Sequence, residues 1–405
     1  LALDHRIFKI KGVVQHYSWG GYDFIPNLLG MSNEQQKPFA EYWLGAHPNH
    51  PSLLENKRSL PGFIQENPFD ILGESVAKSF STLPFLFKIL DVRQMLSIQV
   101  HPGKQSAITE FEKENQRGIP VTAPHRNYKD ENHKPELMVA LSDFWLLHGF
   151  KQEDALREIL ASIPTFDFLL RIFNRTGYQG LYEEVMTMSQ ERVNEILGPI
   201  VERIVPLYKN NEFRKDEEDF WVGSAVVDFC KDNNYDRGIF SIYFFNLLHL
   251  KRGEGIFQPQ GMPHAYLEGQ NVEVMANSDN VLRAGLTDKH VDVPELMKHV
   301  DFKATAPNIL SAIATSQKIF SAPVKEFELH QYHLDETEKR FETRTAEIWF
   351  WTSGSTHIND EVGELDINRG EALFISAETN LSLKSSVATE VFRVLVPDNT
   401  KNQPL

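Results

Sequence analysis

The sequence predicts a mainly β protein built of jelly-roll units, with an α-helical domain inserted between strands. Three observations carry this. Short apolar runs of period two fill the first 150 residues and resume after residue 236, and between 151 and 235 the apolar period lengthens to that of a helix. An Arg-Gly-Glu opening followed by an apolar strand occurs twice, at Arg252 and at Arg369, and the two copies align without a gap. The predicted units are therefore residues 1–150 together with 236–318, a helical insert at 151–235, and a C-terminal jelly roll at 319–405.

In chain order, the first hundred residues break apolar runs with Gly, Pro and Asn, as in Tyr17-Ser-Trp-Gly-Gly-Tyr22 and Gly45-Ala-His-Pro-Asn-His-Pro-Ser52, which reads as strands and turns. Residues 69–80 carry a brief helical spacing before Leu83-Pro-Phe-Leu-Phe-Lys-Ile-Leu90 returns to a buried strand. Lys88 interrupts that run, so its head either reaches water along a snorkelling stem or points into a polar cavity. In Leu96-Ser-Ile-Gln-Val-His-Pro-Gly-Lys104 the apolar Leu96, Ile98 and Val100 alternate with Ser97, Gln99 and His101. On a strand the first set enters a core and the second lines a cavity wall, with Gln99 and His101 about 7 Å apart. Pro135 turns a polar loop holding His133 and Lys134 into a strand headed by Glu136.

From residue 151 the pattern is helical. Leu156, Ile159, Leu160 and Ile163 share a face, as do Val193, Ile196, Leu197, Ile200, Val201 and Ile204 after the cap Ser189, and Pro206 is expected to end that helix. Glu217 to Cys230 continues it. Strand character is expected to resume at Gly238-Ile-Phe-Ser-Ile-Tyr-Phe-Phe-Asn-Leu-Leu-His-Leu250 and to run on to Leu267. The repeated Gly-Glu opening with a histidine about ten residues on is the pattern of a cupin-type jelly roll. In the second copy Leu381 stands where the first has His264, so the C-terminal unit is expected to be metal-free and without chemistry.

Composition bounds the function. With 41 basic against 56 acidic residues, formally −15, neither nucleic acid nor an anionic membrane is an expected partner. Cys230 is the only cysteine, so disulfides and cysteine zinc knuckles are excluded, and a buried structural thiol is expected. The start lacks a long apolar leader-like segment, and no run of apolar residues has membrane-spanning length; the expected compartment is the cytoplasm.

The candidate constellation is Gln99, His101, Glu136 and His264: two imidazoles, a carboxylate and an amide oxygen from three β segments. Zn²⁺ suits this nitrogen and oxygen set, as do Fe²⁺, Mn²⁺ and Co²⁺. Without thiolates, the site is expected to keep a position open for water or substrate. Tyr266 and Glu273 follow on the same segment, and the Asn-, Asp- and Gly-rich stretch after Glu273 holds Arg283.

These stretches together resemble the type I mannose-6-phosphate isomerase (phosphomannose isomerase) family. The matching segments are Tyr17-Ser-Trp-Gly, Glu41-Tyr-Trp-Leu-Gly-Ala-His-Pro, Leu83-Pro-Phe-Leu-Phe-Lys, Leu96-Ser-Ile-Gln-Val-His-Pro, Asn132-His-Lys-Pro-Glu136, Pro263-His-Ala-Tyr266 and the long Glu273-Val-Met-Ala-Asn-Ser-Asp-Asn-Val-Leu-Arg-Ala-Gly-Leu-Thr287. They cover most of 10–150 and 240–300 in order, while the helical insert and C-terminal unit match more loosely. The resemblance implies one zinc ion per chain on Gln99, His101, Glu136 and His264, and a catalytic role for Arg283. It implies interconversion of mannose 6-phosphate and fructose 6-phosphate through a cis-enediol, by a monomer with a sugar phosphate as its partner.

That chemistry needs charge stabilisation, a proton carrier and ring opening. Glu273, Lys134 and Lys88 are open as proton carriers, and His47 and Asp279 are candidates for ring opening. Ser97, Lys88, Lys134, Arg283 and Lys289 are the candidates for phosphate, with Trp19 and Tyr266 as further substrate-side residues. Two other classes compete. An iron-dependent cupin oxygenase suits two histidines and a carboxylate but leaves Gln99 and Arg283 without a role. A non-catalytic sugar-binding cupin keeps aromatics such as Trp19 and Trp43 and tolerates loss of the metal set.

Overall fold

Alternation along the Phe85–Val92 strand divides the molecule into its two working faces. Phe85, Phe87 and Ile89 point one way into a large apolar core, and Leu86, Lys88 and Leu90 point the other way, toward the functional site. The computed structural model describes residues 5–231, 234–312 and 315–397; the first four residues of the predicted first unit and the last eight of the predicted C-terminal unit lie outside the described residues. Among the described residues, strands form sheets of ten, seven and four members.

The ten-stranded sheet is centred on the long strand His264–Ala276. Its second half pairs with Phe85–Val92 on one side and Glu136–Ala140 on the other. Its first half pairs instead with Phe144–Phe150, and His264 itself also with Gln99, across a register shift between Tyr266 and Glu268. A bulge of this kind bends and re-aims a strand. The seven-stranded sheet runs Gln317–Phe320, Glu328–Leu334, Thr389–Leu395, Glu347–Ser353, Ala372–Ile375, Ile7–Lys11 and Leu53–Leu54. The predicted boundary at residue 319 therefore does not separate the sheets, because Ile7–Lys11 pairs directly with Ala372–Ile375. The two sheets pack face to face, with Phe87 and Tyr42 on one and Phe350 on the other at ring distances of 6.4 and 6.3 Å. The other face of the seven-stranded sheet, with Trp349 and Trp351, covers Ile358, Ile367, Leu381 and Leu383 of the four-stranded sheet.

Five helices, Glu153–Ser162, Asp167–Thr187, Gln190–Lys209, Glu218–Phe229 and Gly238–Phe244, lie between two strands that pair with each other, Phe144–Phe150 and Phe245–Leu250. The predicted apolar face from Val193 to Ile204 is buried, and the Ser189 hydroxyl accepts the Arg192 N–H at 3.3 Å. Pro206 does not end this helix, which continues to Lys209 with Pro199 also inside it. Both prolines are exposed, as are Glu195 and Glu202, so the carbonyls that lose a partner four residues back face water. The stretch 238–244 is helix where strand was expected. Every residue of it is buried, and a run that is apolar on all sides carries no period to distinguish helix from strand. The predicted strand over 96–104 shrinks to Gln99–Val100, and Lys104 begins a helix. Cys230 is half-buried, accepts the Asp236 N–H at 3.4 Å, and burial pushes its thiol up to about 11. No helix is long and apolar enough to cross a membrane among the described residues.

Candidate active site and metal centre

Cross-strand register assembles the site. Gln99 stands directly opposite His264 on one neighbouring strand and Arg283 on the other, and residues directly opposite on antiparallel strands project from the same face. His101 follows two residues after Gln99 and is fully buried. Its Nδ1 donates to the Asn280 carbonyl at 2.9 Å, and the Nδ1 of His264 donates to the Met262 carbonyl at 2.8 Å. With both Nδ1 positions committed, both Nε2 lone pairs are presented to Glu136, at 3.4 and 3.3 Å. The three donor atoms lie within 4.8 Å of one another, and the His101 Nε2 has no hydrogen-bond partner though buried. A buried imidazole nitrogen without a partner, aimed at a carboxylate and fixed through its other nitrogen, is the arrangement of a metal ligand held by its outer neighbours.

Protonation states agree with that. Burial pushes the His101 imidazole down to about 4, against the opposing pull of Glu136, so it is neutral. Burial raises the Glu136 carboxyl, but the Lys134 ammonium at 3.2 Å outweighs it and holds the group well below the usual carboxylate range.

A second polar cluster occupies the adjoining rows. Glu273, Lys88 and Trp43 are directly opposite one another on three strands. The Lys88 ammonium sits 3.3 Å from Glu273 and 3.4 Å from Glu41, and 5.1 Å over the Trp43 ring. The Trp43 indole N–H donates to Glu41, and the Tyr266 hydroxyl donates to Glu273 at 2.7 Å. Burial tends to discharge Lys88, but the charges of Glu41, Glu273 and Glu136 outweigh it and keep the ammonium protonated. Burial and the charge of Glu136 raise Glu273.

Both clusters back onto a cavity of about 550 Å³. Of the predicted residues, Trp19, Lys88, Ser97, Gln99, Lys134, Asp279, Arg283 and Lys289 line it. His101, Glu136, His264, Glu273 and Tyr266 are buried behind that lining, and Tyr266 packs against Phe144. His47 is also buried; its Nδ1 accepts the Asn49 N–H, so Nε2 carries the proton and donates to Asp279 at 3.2 Å. Burial raises Asp279, but the His47 hydrogen bond and the nearby Lys134 and Lys88 charges bring it below the usual range. The surface pairing open to Arg283, with Asp279 or Glu273, is not made. Those carboxylates are committed to His47 and to Lys88 and Tyr266. Among the described residues, no hydrogen bond or ion pair holds the Arg283 guanidinium, and burial lowers its pKa.

Several residues of the site lay outside the sequence reading. Glu41 is the second anion on Lys88, and the pairing of the Trp43 strand with the Lys88 strand that brings it there appears only once register is known. Asp130 braces the 278–280 turn, accepting the Asp279 N–H at 2.7 Å and the Ser278 hydroxyl at 2.8 Å. Asp228, Phe229 and Lys231, at the end of the Glu218–Phe229 helix, close one side of the cavity, so the helical segment is part of the site's wall.

Comparison with known proteins follows the same lines. The family model for the phosphomannose isomerase type I catalytic domain matches residues 7–153. The mannose-6-phosphate isomerase of Escherichia coli (strain K12) is 36% identical over 380 residues, covering 91% of this chain and 94% of that protein. The mannose-6-phosphate isomerase of Mus musculus is 33% identical over 426 residues, covering 95% and 97%. The crystal structure of the Salmonella typhimurium mannose 6-phosphate isomerase bound to fructose 6-phosphate and zinc superposes with a TM-score of 0.86 at 33% identity, over 97% of this chain and all of that one.

Proposed function

The chain belongs to the type I phosphomannose isomerase family, and from that premise we propose that it is a zinc-dependent aldose-ketose isomerase interconverting D-mannose 6-phosphate and D-fructose 6-phosphate through a cis-enediol. The observation that carries this is the convergence of two oriented imidazole nitrogens on Glu136 beside a cavity lined by Gln99 and Arg283. Gln99, His101, Glu136 and His264 would hold one zinc ion per chain. When bound, the ion supplies a Lewis-acidic charge beside the sugar oxygens.

The protein's own groups do the rest. His47 and Asp279 form a proton-sharing pair at the cavity edge, suited to taking a proton from the anomeric hydroxyl and returning one to the ring oxygen. For transfer between C1 and C2, Lys88 and Lys134 present their ammonium groups to the cavity, whereas Glu273 reaches it only through Lys88. The carrier is therefore one of the two lysines, acting as a neutral amine. Lys88 would first pass a proton to Glu273, 3.3 Å away and itself raised by burial, then take the carbon-bound proton and return it to the neighbouring carbon. Arg283 stabilises charge developing on the enediol oxygens, and Ser97 and Lys289 bind the phosphate. Trp19 walls the sugar, and Tyr266 orients Glu273 from behind.

The β units are cupin-type jelly rolls, a metal-bearing catalytic one and a metal-free C-terminal one, with the helices of 151–235 inserted as a domain that walls the cavity. The protein acts as a cytoplasmic monomer. A coupled assay for fructose 6-phosphate formed from mannose 6-phosphate, run with and without chelator, tests the function. Turnover that chelator abolishes and zinc restores is expected. Turnover indifferent to chelator removes the metal, oxygen consumption points to the oxygenase, and sugar binding without turnover points to a binding module.

A further inference from the structure

Asp236 lies where the chain leaves the helical segment, outside every motif that carries the chemistry. Its carboxylate nonetheless accepts three backbone N–H groups from two separate segments. Oδ1 takes Gly238 at 2.7 Å and Leu286 at 2.8 Å, and Oδ2 takes Thr287 at 3.2 Å. The last two belong to the loop that follows Arg283 and leads to Lys289. That loop needs holding, because Leu286 is a buried non-glycine residue at φ +53°, a left-handed conformation that L residues avoid.

The junction is built for close approach. A Cβ on Gly285 would stand 2.5 Å from the Gly238 Cα, and a Cβ on Gly238 would stand 2.6 Å from the Leu286 nitrogen, so two glycines let the helix start and the loop touch backbone to backbone. On its other side the loop is zipped to the strand of Gln99. Ile98 donates to the Gly285 carbonyl at 3.1 Å, and Ala284 donates to the Ile98 carbonyl at 2.9 Å. The next residue, Arg237, donates to the Met186 carbonyl at 2.7 Å and ties the junction to the helices.

We propose that Asp236 is a positioning residue: it fixes the 284–289 loop, and with it Lys289, in the geometry that receives the substrate phosphate. This rests on the isomerase function proposed above. It also gives the helical segment a task, since the segment's exit supplies the anchor.

The test is steady-state kinetics of Asp236→Ala and Asp236→Asn with mannose 6-phosphate, with inorganic phosphate as competitive inhibitor, beside circular dichroism and thermal melting. In Asp236→Ala, KM and the phosphate Ki are expected to rise together by about tenfold, because Lys289, the cation that meets both ligands, loses its fixed place. Asp236→Asn keeps one acceptor oxygen, for Gly238 and Leu286, and loses the acceptor for Thr287, so a rise of about threefold is expected, with the fold intact. A purely structural role lowers the melting temperature and the folded fraction while leaving KM and Ki of the folded enzyme unchanged. That outcome overturns the proposal, and Asp236→Asn decides it if Asp236→Ala does not fold. Unmutated protein that neither turns over mannose 6-phosphate nor binds phosphate removes the isomerase function and this inference with it. Unmutated protein that does both while the variants match it removes only the inference.

Discussion

Arg283 shows what one side chain's surroundings decide. An arginine in a turn-rich surface stretch ordinarily ends in an ion pair worth at most about 1 kcal/mol. Here its expected partners are engaged elsewhere, and the guanidinium lines the cavity beside Gln99 with no ion pair among the described residues. A planar fork of donors that stays charged suits oxygens on which charge develops, and a lysine keeps the charge but loses the fork. Arg283→Lys is therefore expected to lower kcat and kcat/KM together, by roughly 10²–10³, the loss typical of one well-placed oxyanion donor. Steady-state kinetics beside the melting temperature check this; near-normal kinetics with a lowered melting temperature would make Arg283 a structural residue. At this scale the cluster of His101, Glu136 and His264 was legible, because His101 sits on an alternating stretch, Glu136 heads a strand and His264 has an internal counterpart in Leu381. Asp236 was not legible. Its role depends on backbone N–H groups fifty residues away, which no local pattern records.

Among the elements, the repeated Arg-Gly-Glu opening turns out to be a turn device. Gly253 and Gly370 take φ +84° and +83°, a left-handed position that glycine occupies without a Cβ penalty. The glutamate that follows reaches back three residues in both copies: Glu254 accepts the Lys251 N–H and Glu371 accepts the Asn368 N–H, each at 2.7 Å. Each turn then launches a strand, Gly255–Gln258 in one copy and Ala372–Ile375 in the other. The repeat thus encodes strand entry, which explains why it persists where Leu381 has replaced the ligand. Glu254→Ala and Glu371→Ala are each expected to cost about 1 kcal/mol of stability, as the loss of one capping acceptor does, with KM and kcat unmoved. Urea unfolding and kinetics check the pair, and a kinetic defect confined to Glu254→Ala would give the first turn a role in the site. Elements were legible wherever one face meets water, as from Val193 to Ile204, and illegible where burial is complete, as in Gly238–Phe244. The bend of the His264–Ala276 strand was also invisible, yet it brings Tyr266 back to Glu273.

At the scale of the whole molecule, the sequence leads one to expect a catalytic unit and a separate C-terminal one, but one apolar core runs across both sheets. Phe87, Ile89, Val272 and Val274 of the ten-stranded sheet share one apolar cluster with Ile348, Phe350, Phe392 and Val394 of the seven-stranded sheet. The chain start is woven in as well, with Ile7–Lys11 between Ala372–Ile375 and Leu53–Leu54. Sheets that share a core and a strand exchange do not lose structure independently, since unfolding either one exposes the apolar face of the other. Zinc bound to one end should therefore stabilise the whole. A ligand held only by the native state adds about 4 kcal/mol when its free concentration is a thousandfold above its Kd. Calorimetry with saturating zinc and then with chelator is expected to show one transition that moves down as the metal is removed, with metal analysis giving one zinc per chain. In the C-terminal sheets the position matching His264 is taken by Leu381, packed opposite Phe341 inside their own core. A transition that splits in chelator, with one part unmoved, would mean that the seven- and four-stranded sheets fold as a body apart and that the shared core is only a contact. A single transition carries metal binding at His101 and His264 to the stability of residues on the far side of the molecule.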